Sequence, residues 1–298
     1  MATKSELLGL TLYDEQDYGD VSVLNDNMTM VEKAMWARSR VWNLLDNSDF
    51  TTPVNQRGWS NGTKVTAKKY FIDRWLASAD VTPALTSDGI AASAEILQMI
   101  KKEGLVGKTV TGALCLSDGT LVVGSGVVPS GSAWINLVDK WHDDTRLLVT
   151  STSEETLRFR VVCGSNVVRW AALYEGAYTA DTLPAYQPKG YVAELIECKR
   201  YFRKVKGISR LSGYCTSSQA NLCLPLDVPM RITPTLTATS LDTIRAAGKN
   251  IAITGASVNS MTYDSVRIIA TYAADSAVVN HVGVWAVPVF TLDADYQL

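Results

Sequence analysis

Very little in this sequence is equipped for acid–base or metal chemistry. Histidine occurs twice, at His142 and His281, far apart in the chain. There is no G-x-S-x-G elbow, no glycine-rich phosphate loop and no H-E-x-x-H pair. An excess of one charge is also missing. The 28 basic and 30 acidic residues leave a net charge of -2, which provides no electrostatic footprint for nucleic acid. No apolar run reaches the ~20 residues of a bilayer span, so no membrane insertion is expected. The first 20 residues lack a sustained apolar core and turn acidic early, so synthesis in a cytoplasm without a signal peptide is expected. The five cysteines are scattered, odd in number and free of any C-x-x-C pair. They read as reduced, buried, small apolar side chains in preference to a Cys215–Cys223 bridge across a hairpin.

What is present is strand. With 298 residues and 47% hydrophobic content, the chain has room for two modest domains. Apolar and β-branched runs at 105–116, 120–123, 134–138, 146–150, 157–163 and 167–174 are short and bounded by turns. Asp118-Gly119 and Gly164-Ser165-Asn166 are the clearest of those turns. Residues 70–76 (YFIDRWL) read as one strand, with an Asp and an Arg inside it that call for pairing. The last third again alternates. Its run 282–289 (VGVWAVPV) is apolar enough to be buried on both faces, in the core or against neighbouring copies. The run 95–102 (EILQMIKK) reads as a short helix or a twisted strand. Helix is expected over 191–202, with Val192, Leu195, Ile196 and Lys199 on one face, and near residue 21. There Leu24, Met28, Val31 and Met35 are spaced four, three, four, as in a heptad seam. The basic residues Lys199, Arg200, Arg203, Lys204 and Lys206 read as a solvated helix end.

The predicted fold class is therefore all-β: a β-sandwich, which the resemblance described next makes a jelly roll, then a smaller C-terminal β-domain, with a short N-terminal helical segment. The expected boundaries are 1–40 for the N-terminal helical segment, 41–190 for the sandwich and 191–202 for a linking helix. Residues 203–298 are expected to form a C-terminal β-sandwich at the tip.

Residues 170–176 (WAALYEG) and 194–202 (ELIECKRYF) carry a resemblance. The order of strand, W-x-A-L-Y-E-G, short loop, P-x-x-Y and E-L-x-x-C-x-R-Y-F resembles receptor-binding tail-fibre proteins of phages and prophages of gut bacteria. In those proteins it joins a carbohydrate-binding-module-like jelly roll to a C-terminal domain. Residues 43–58, 105–111 and the last third support the likeness. It implies a homotrimer in a virion tail fibre or tail tip. The N-terminus would attach to tail or baseplate proteins, and a bacterial cell-surface polysaccharide would be the partner. It also implies a structural Ca²⁺, with Asp49 and Glu175 in matching positions; the residues themselves favour turn-capping by Asp49 and a solvated Glu175.

No catalytic residues are assigned. Asp143/Asp144 and Glu154/Glu155 are paired in sequence but look exposed, and neither pair separates an acid from a nucleophile. A zinc site on His142, Asp143 and Asp144 would need ligands from elsewhere. Sugar recognition has the better chemistry, since a ring stacks on the apolar face of a sugar while polar groups bond its rim. Of eight Trp and twelve Tyr, those in or beside loops are the candidates. They are Trp59, Trp134 and Trp141 in the first domain and Tyr214, Arg231 and Tyr263 in the second, with Tyr178, Tyr186, Asn259 and Asp264 as further positions. Trp75, Trp170 and Trp285 lie in apolar strands and read as core. Two other classes stay open: a baseplate or fibre-shaft component that binds only other virion proteins, and a polysaccharide-depolymerising fibre.

Overall fold

Strand-forming sequence runs the length of the chain, and the structure, a computed structural model, is all-β. It describes residues 3–4, 11–12, 23, 26–28, 30–31, 41–138, 145–151, 155–206 and 210–296. The first strands are β1 (Thr3–Lys4), β2 (Thr11–Leu12), β3 (Tyr70–Ile72), β4 (Trp75–Ala77), β5 (Ala84–Thr86), β6 (Gly89–Ala91) and β7 (Ile96–Lys101). They are followed by β8 (Thr109–Leu116), β9 (Leu121–Val127), β10 (Ala133–Val138), β11 (Arg146–Ser151), β12 (Thr156–Val162) and β13 (Val168–Glu175). After helix α1 (Tyr191–Cys198) come β14 (Phe202–Val205), β15 (Leu211–Cys215), β16 (Gln219–Pro225), β17 (Thr235–Ser240) and β18 (Thr243–Ala246). The last four are β19 (Lys249–Met261), β20 (Ser265–Tyr272), β21 (Val282–Trp285) and β22 (Val289–Asp293). Near the N-terminus residues 23, 26–28, 30 and 31 are helical, while Leu24 and Met35 of the heptad seam lie outside the described residues.

Two compact units form, and neither is one continuous piece of chain. The first holds residues 1–51, 88–93 and 100–188; the second holds 52–87, 94–99 and 189–298. The units divide at 188/189, two residues before the 190/191 boundary expected from the sequence. Residues 52–87 and 94–99, assigned by that reading to the first domain, group instead with the C-terminal third.

In the first unit, β8 and β9 make the hairpin expected around Asp118-Gly119. Asp118 accepts a bond from the Thr120 amide at 2.8 Å, and Gly119 takes a left-handed φ of 88°. One sheet runs β6-β13-β8-β9 and a second runs β10-β11-β12, all antiparallel. The two face each other across Leu137 and Leu147. A Cβ at Gly124 would sit 1.9 Å from the Leu137 carbonyl oxygen, so only glycine permits that approach. On β12 the alternation is clean: Leu157, Phe159 and Val161 are buried, while Arg158 and Arg160 are half-buried on the opposite face.

In the second unit, β15-β16-β20-β19-β18-β21 close into a barrel, and β14-β22-β17 form a separate sheet. The C-terminal sandwich expected from the sequence is replaced by this barrel. β19 explains the change. It is 13 residues long and shifts register at Ile253/Gly255 and again at Val258/Ser260. Such irregularities bend a strand and let a sheet close on itself. The run 282–289 is not buried on both faces: Trp285 is inside, but Val282 is 67% exposed. Helix α1 also turns the other way. Its buried residues are Glu194 and Cys198, and its apolar Val192 and Ile196 are exposed. All five cysteines are free thiols; Cys215 is buried in the barrel and Cys223, against the expectation of burial, is exposed.

Residues 70–76 are not one strand. β3 and β4 form a hairpin with Asp73 and Arg74 at its turn, and Arg74 has a φ of 70°. Both charged side chains are fully buried. Arg74 pairs with Asp295, donates to the Met99 carbonyl at 2.5 Å and lies 3.5 Å from the Tyr201 ring centre. Arg57 reaches Asp293 at 3.2 Å and Asp295 at 3.1 Å, and packs on the rings of Tyr70 and Phe202. Removing one member of such a pair strands a buried charge and costs about 3–5 kcal/mol.

Burial raises the Asp73 carboxyl from 3.8 to about 7, against the opposing pull of the Gln56 amide and Arg57. A carboxyl that ionises more reluctantly in the folded state supports folding below its unfolded value and loses that support as pH climbs toward 7. Urea midpoints of the intact chain should therefore fall from pH 4 to pH 7. Asp73→Asn should flatten that slope, by at most about 4 kcal/mol. Equal slopes in both proteins would rule out Asp73 as the source.

Candidate functional site

The outward face of the β10-β11-β12 sheet carries two cross-strand rows. In the first, Trp134 lies opposite Thr150 and Thr150 opposite Arg158; in the second, Asn136 lies opposite Leu148 and Leu148 opposite Arg160. The rows follow from strand alternation, because Ile135 and Leu137 point the other way toward β9. Trp134 remains 60% exposed although it sits in a regular strand. The Arg160 guanidinium lies 4.6 Å from its ring centre, a cation–π contact that supports the ring.

An open cavity of about 390 Å³ lies over this face, lined by Ser132, Ala133, Trp134, Thr150, Ser151 and Arg158. Its rim is fixed from behind by Lys102, a fully buried lysine. The Lys102 ammonium donates to the Ser130 carbonyl at 2.8 Å, the Gly131 carbonyl at 3.3 Å and Ser151 Oγ at 2.7 Å. Ser151 Oγ in turn donates to the Gly131 carbonyl at 2.6 Å. Two polar atoms at the cavity, Thr150 Oγ1 and Arg158 Nε, are buried without a hydrogen-bond partner among the described residues. Burial lowers the proton affinity of the Arg158 guanidinium, and the like charge of Arg160 adds to this.

The other sequence candidates have different surroundings. Trp59 is half-buried, donates from Nε1 to the Thr63 carbonyl at 3.1 Å and packs edge-on against Phe71. It is therefore a loop anchor. Trp141, His142, Asp143, Asp144 and Glu154 lie outside the described residues. Tyr178 packs on Tyr174, and Tyr186 stacks on Trp170 at 4.4 Å. Trp75 and Trp285 are core.

On the barrel, Tyr214 is 53% exposed and its hydroxyl accepts from Arg267 at 2.9 Å. Tyr263 is 80% exposed, beside the Thr262–Ser265 turn. Arg231 is committed to structure, donating to the Ala294 carbonyl at 3.0 Å and lying 3.9 Å from the Tyr296 ring centre.

Asp49 and Glu175 do not come together. Asp49 is bridged to Trp170 near the start of β13, and Glu175 ends that strand. At ~3.3 Å of rise per residue they are roughly 16 Å apart. Asp49 accepts from the Thr51 amide and hydroxyl, and Glu175 pairs with Lys108 at 2.7 Å. No group of three metal-binding side chains occurs among the described residues.

The basic run is not a solvated helix end. Lys199, Arg203, Lys204 and Lys206 line a second cavity of about 500 Å³. Arg203 is largely buried and holds the Lys199 and Val228 carbonyls, and both Lys199 and Arg203 grip Asp227. Burial alone would raise the Asp227 carboxyl, but bonds and charge from Lys199 and Arg203 outweigh it and hold it at about 2. Part of the positive charge there is thus neutralised within the fold.

Sequence reasoning found Trp134 but missed Arg158, Arg160, Thr150 and Lys102. The alternation of Arg158 and Arg160 with Leu157, Phe159 and Val161 was the available signal. No protein-family model matches the chain, and no curated protein or solved structure matches it. Among the described residues, no helix is long and apolar enough to cross a membrane.

Lys102→Met keeps the volume but takes the donor away from the Ser130 carbonyl and from Ser151 Oγ, leaving the Gly131 carbonyl to Ser151 alone, at about 1–3 kcal/mol for an unsatisfied group. Amide hydrogen exchange over 130–133 should quicken markedly in that variant, while exchange in the barrel strands stays as it was. Unchanged exchange at the rim would mean that Lys102 does not hold it.

Proposed function

We propose that this chain is a receptor-binding protein of a phage tail fibre or tail tip that recognises a bacterial surface glycan without cleaving it. The observation that carries the reading is Trp134: a 60%-exposed indole on a rigid strand, backed by Arg160 and opening onto a cavity lined with hydroxyls and a guanidinium. An aromatic face beside hydrogen-bonding groups matches a sugar, which has an apolar C–H face and a hydroxylated rim. None of the described residues that line the cavity is a carboxylate, whereas glycoside hydrolysis uses a pair of them. The tail-fibre setting rests on the W-x-A-L-Y-E-G and E-L-x-x-C-x-R-Y-F segments. Joined copies would raise a weak affinity per site by avidity, and the heptad spacing of Leu24, Met28, Val31 and Met35 supports a trimer.

A glycan array followed by calorimetric titration tests the reading. The intact chain should bind a subset of bacterial surface sugars and release no new reducing ends. Trp134→Ala should weaken binding about tenfold, ~1.4 kcal/mol. Binding to no sugar and no cell would favour a purely structural virion component, and new reducing ends would favour a depolymerase. Sedimentation of the full chain should give three copies; a monomer at micromolar concentration would remove the avidity argument.

A further inference from the structure

We propose that the ligand of the Trp134 cavity carries an anionic group, a carboxylate, phosphate or sulfate, and that Arg158 receives it. This rests on the saccharide reading and adds the class of sugar: an acidic one. Three observations converge on it.

The first is the pairing of like charges. Arg158 and Arg160 project from the same face of β12, two residues apart, where alternation places them side by side. Like charges so placed repel. Arg160 is occupied behind the Trp134 ring, and the charge that acts on Arg158 is Arg160's own. The second is a pair of buried atoms on residues of this row, Arg158 Nε and Thr150 Oγ1, that have no hydrogen-bond partner among the described residues. An unsatisfied buried donor is costly, and such a group in a native fold calls for an explanation, a missing ion or ligand among them. Both belong to residues that line the cavity.

The third is geometric. A guanidinium presents parallel N–H groups that match two oxygens of a carboxylate or phosphate. Thr150 lies opposite Arg158 on the neighbouring strand and lines the same cavity. The row Trp134, Thr150, Arg158 therefore sets an aromatic face at one end and an anion receptor at the other. β-strands lie ≈ 4.7–4.9 Å apart, so the row spans about 10 Å. That distance suits a sugar ring with a charged substituent, or two linked residues of an acidic polymer. A nucleic acid also combines stackable rings with phosphates, but among the described residues lining this cavity Arg158 is the one basic side chain, too few to follow a polyanion.

The experiment titrates the full chain calorimetrically with oligogalacturonate, the matching neutral galactose oligomer, galactose 6-phosphate and an oligothymidylate, in 20 mM and again in 300 mM salt. The acidic sugars should bind at least tenfold more tightly than the neutral oligomer at low salt, and the advantage should shrink at high salt. Whichever of the carboxylated and phosphorylated probes binds more tightly identifies the anion. Arg158→Gln should bring the acidic-to-neutral ratio close to one, and Arg158→Lys, which keeps the charge but not the fork, should restore only part of it. Circular dichroism and the thermal midpoint check that both variants fold. If either does not, the ratio and its salt dependence in the unmodified chain still decide. Equal binding of acidic and neutral sugars would overturn the inference and leave the saccharide reading standing. Binding of no sugar would remove both, and tighter binding of oligothymidylate would overturn the acidic-sugar assignment.

Discussion

The Arg74–Asp295 pair organises the second unit. It joins a hairpin turn near residue 73 to the end of the last strand, across more than two hundred residues of sequence. Arg57 ties the same carboxylate and Asp293 to the loop that precedes the hairpin, and Tyr70, Tyr201 and Tyr296 supply rings around the guanidinium groups. Buried ion pairs are weak sources of net stability but strong sources of specificity where every charge is matched, because any other arrangement strands a charge in the interior. That condition explains why residues 52–87 belong with the C-terminal third. It also leaves 100–188 to build a separate sandwich.

The sandwich provides what the candidate site needs. Glycine at 124 lets the facing strands approach closely, and the inward residues of β10, β11 and β12 are packed. Their outward residues are therefore held on a fixed frame rather than on a loop. Trp134 gains rigidity from the strand beneath it and from Arg160 behind it, while Lys102 fixes the rim. Holding these groups in place before a ligand arrives lowers the ordering cost of binding. The second cavity, lined by the basic run, differs because Asp227 already neutralises part of its charge.

Much of the fold was legible in the residues. The Asp118-Gly119 hairpin, the strands at 146–150 and 157–163 and the helix near 191 all stand close to where local pattern placed them, because each depends on neighbours in sequence. Trp134 was legible as an exposed ring. Arg158 and Thr150 were not, since their meaning comes from a row across three strands in which Thr150 stands between Trp134 and Arg158. The helix face was misread for a related reason. Spacing groups Val192, Leu195 and Ile196, but the packing of the second unit buries Glu194 and Cys198. The 70–76 run was read as one strand because alternation cannot reveal a positive φ at an arginine.

What the chain's order of residues determined alone was its class: short alternating runs and turn pairs can be satisfied only by antiparallel strands, and the scarcity of histidine and of catalytic motifs narrows the chemistry. The closing of the barrel, the turn at Asp73-Arg74 and the gathering of Trp134, Thr150 and Arg158 were decided only in three dimensions. Each depends on which distant strand supplies the partner, and local hydrophobic periodicity carries no record of that choice.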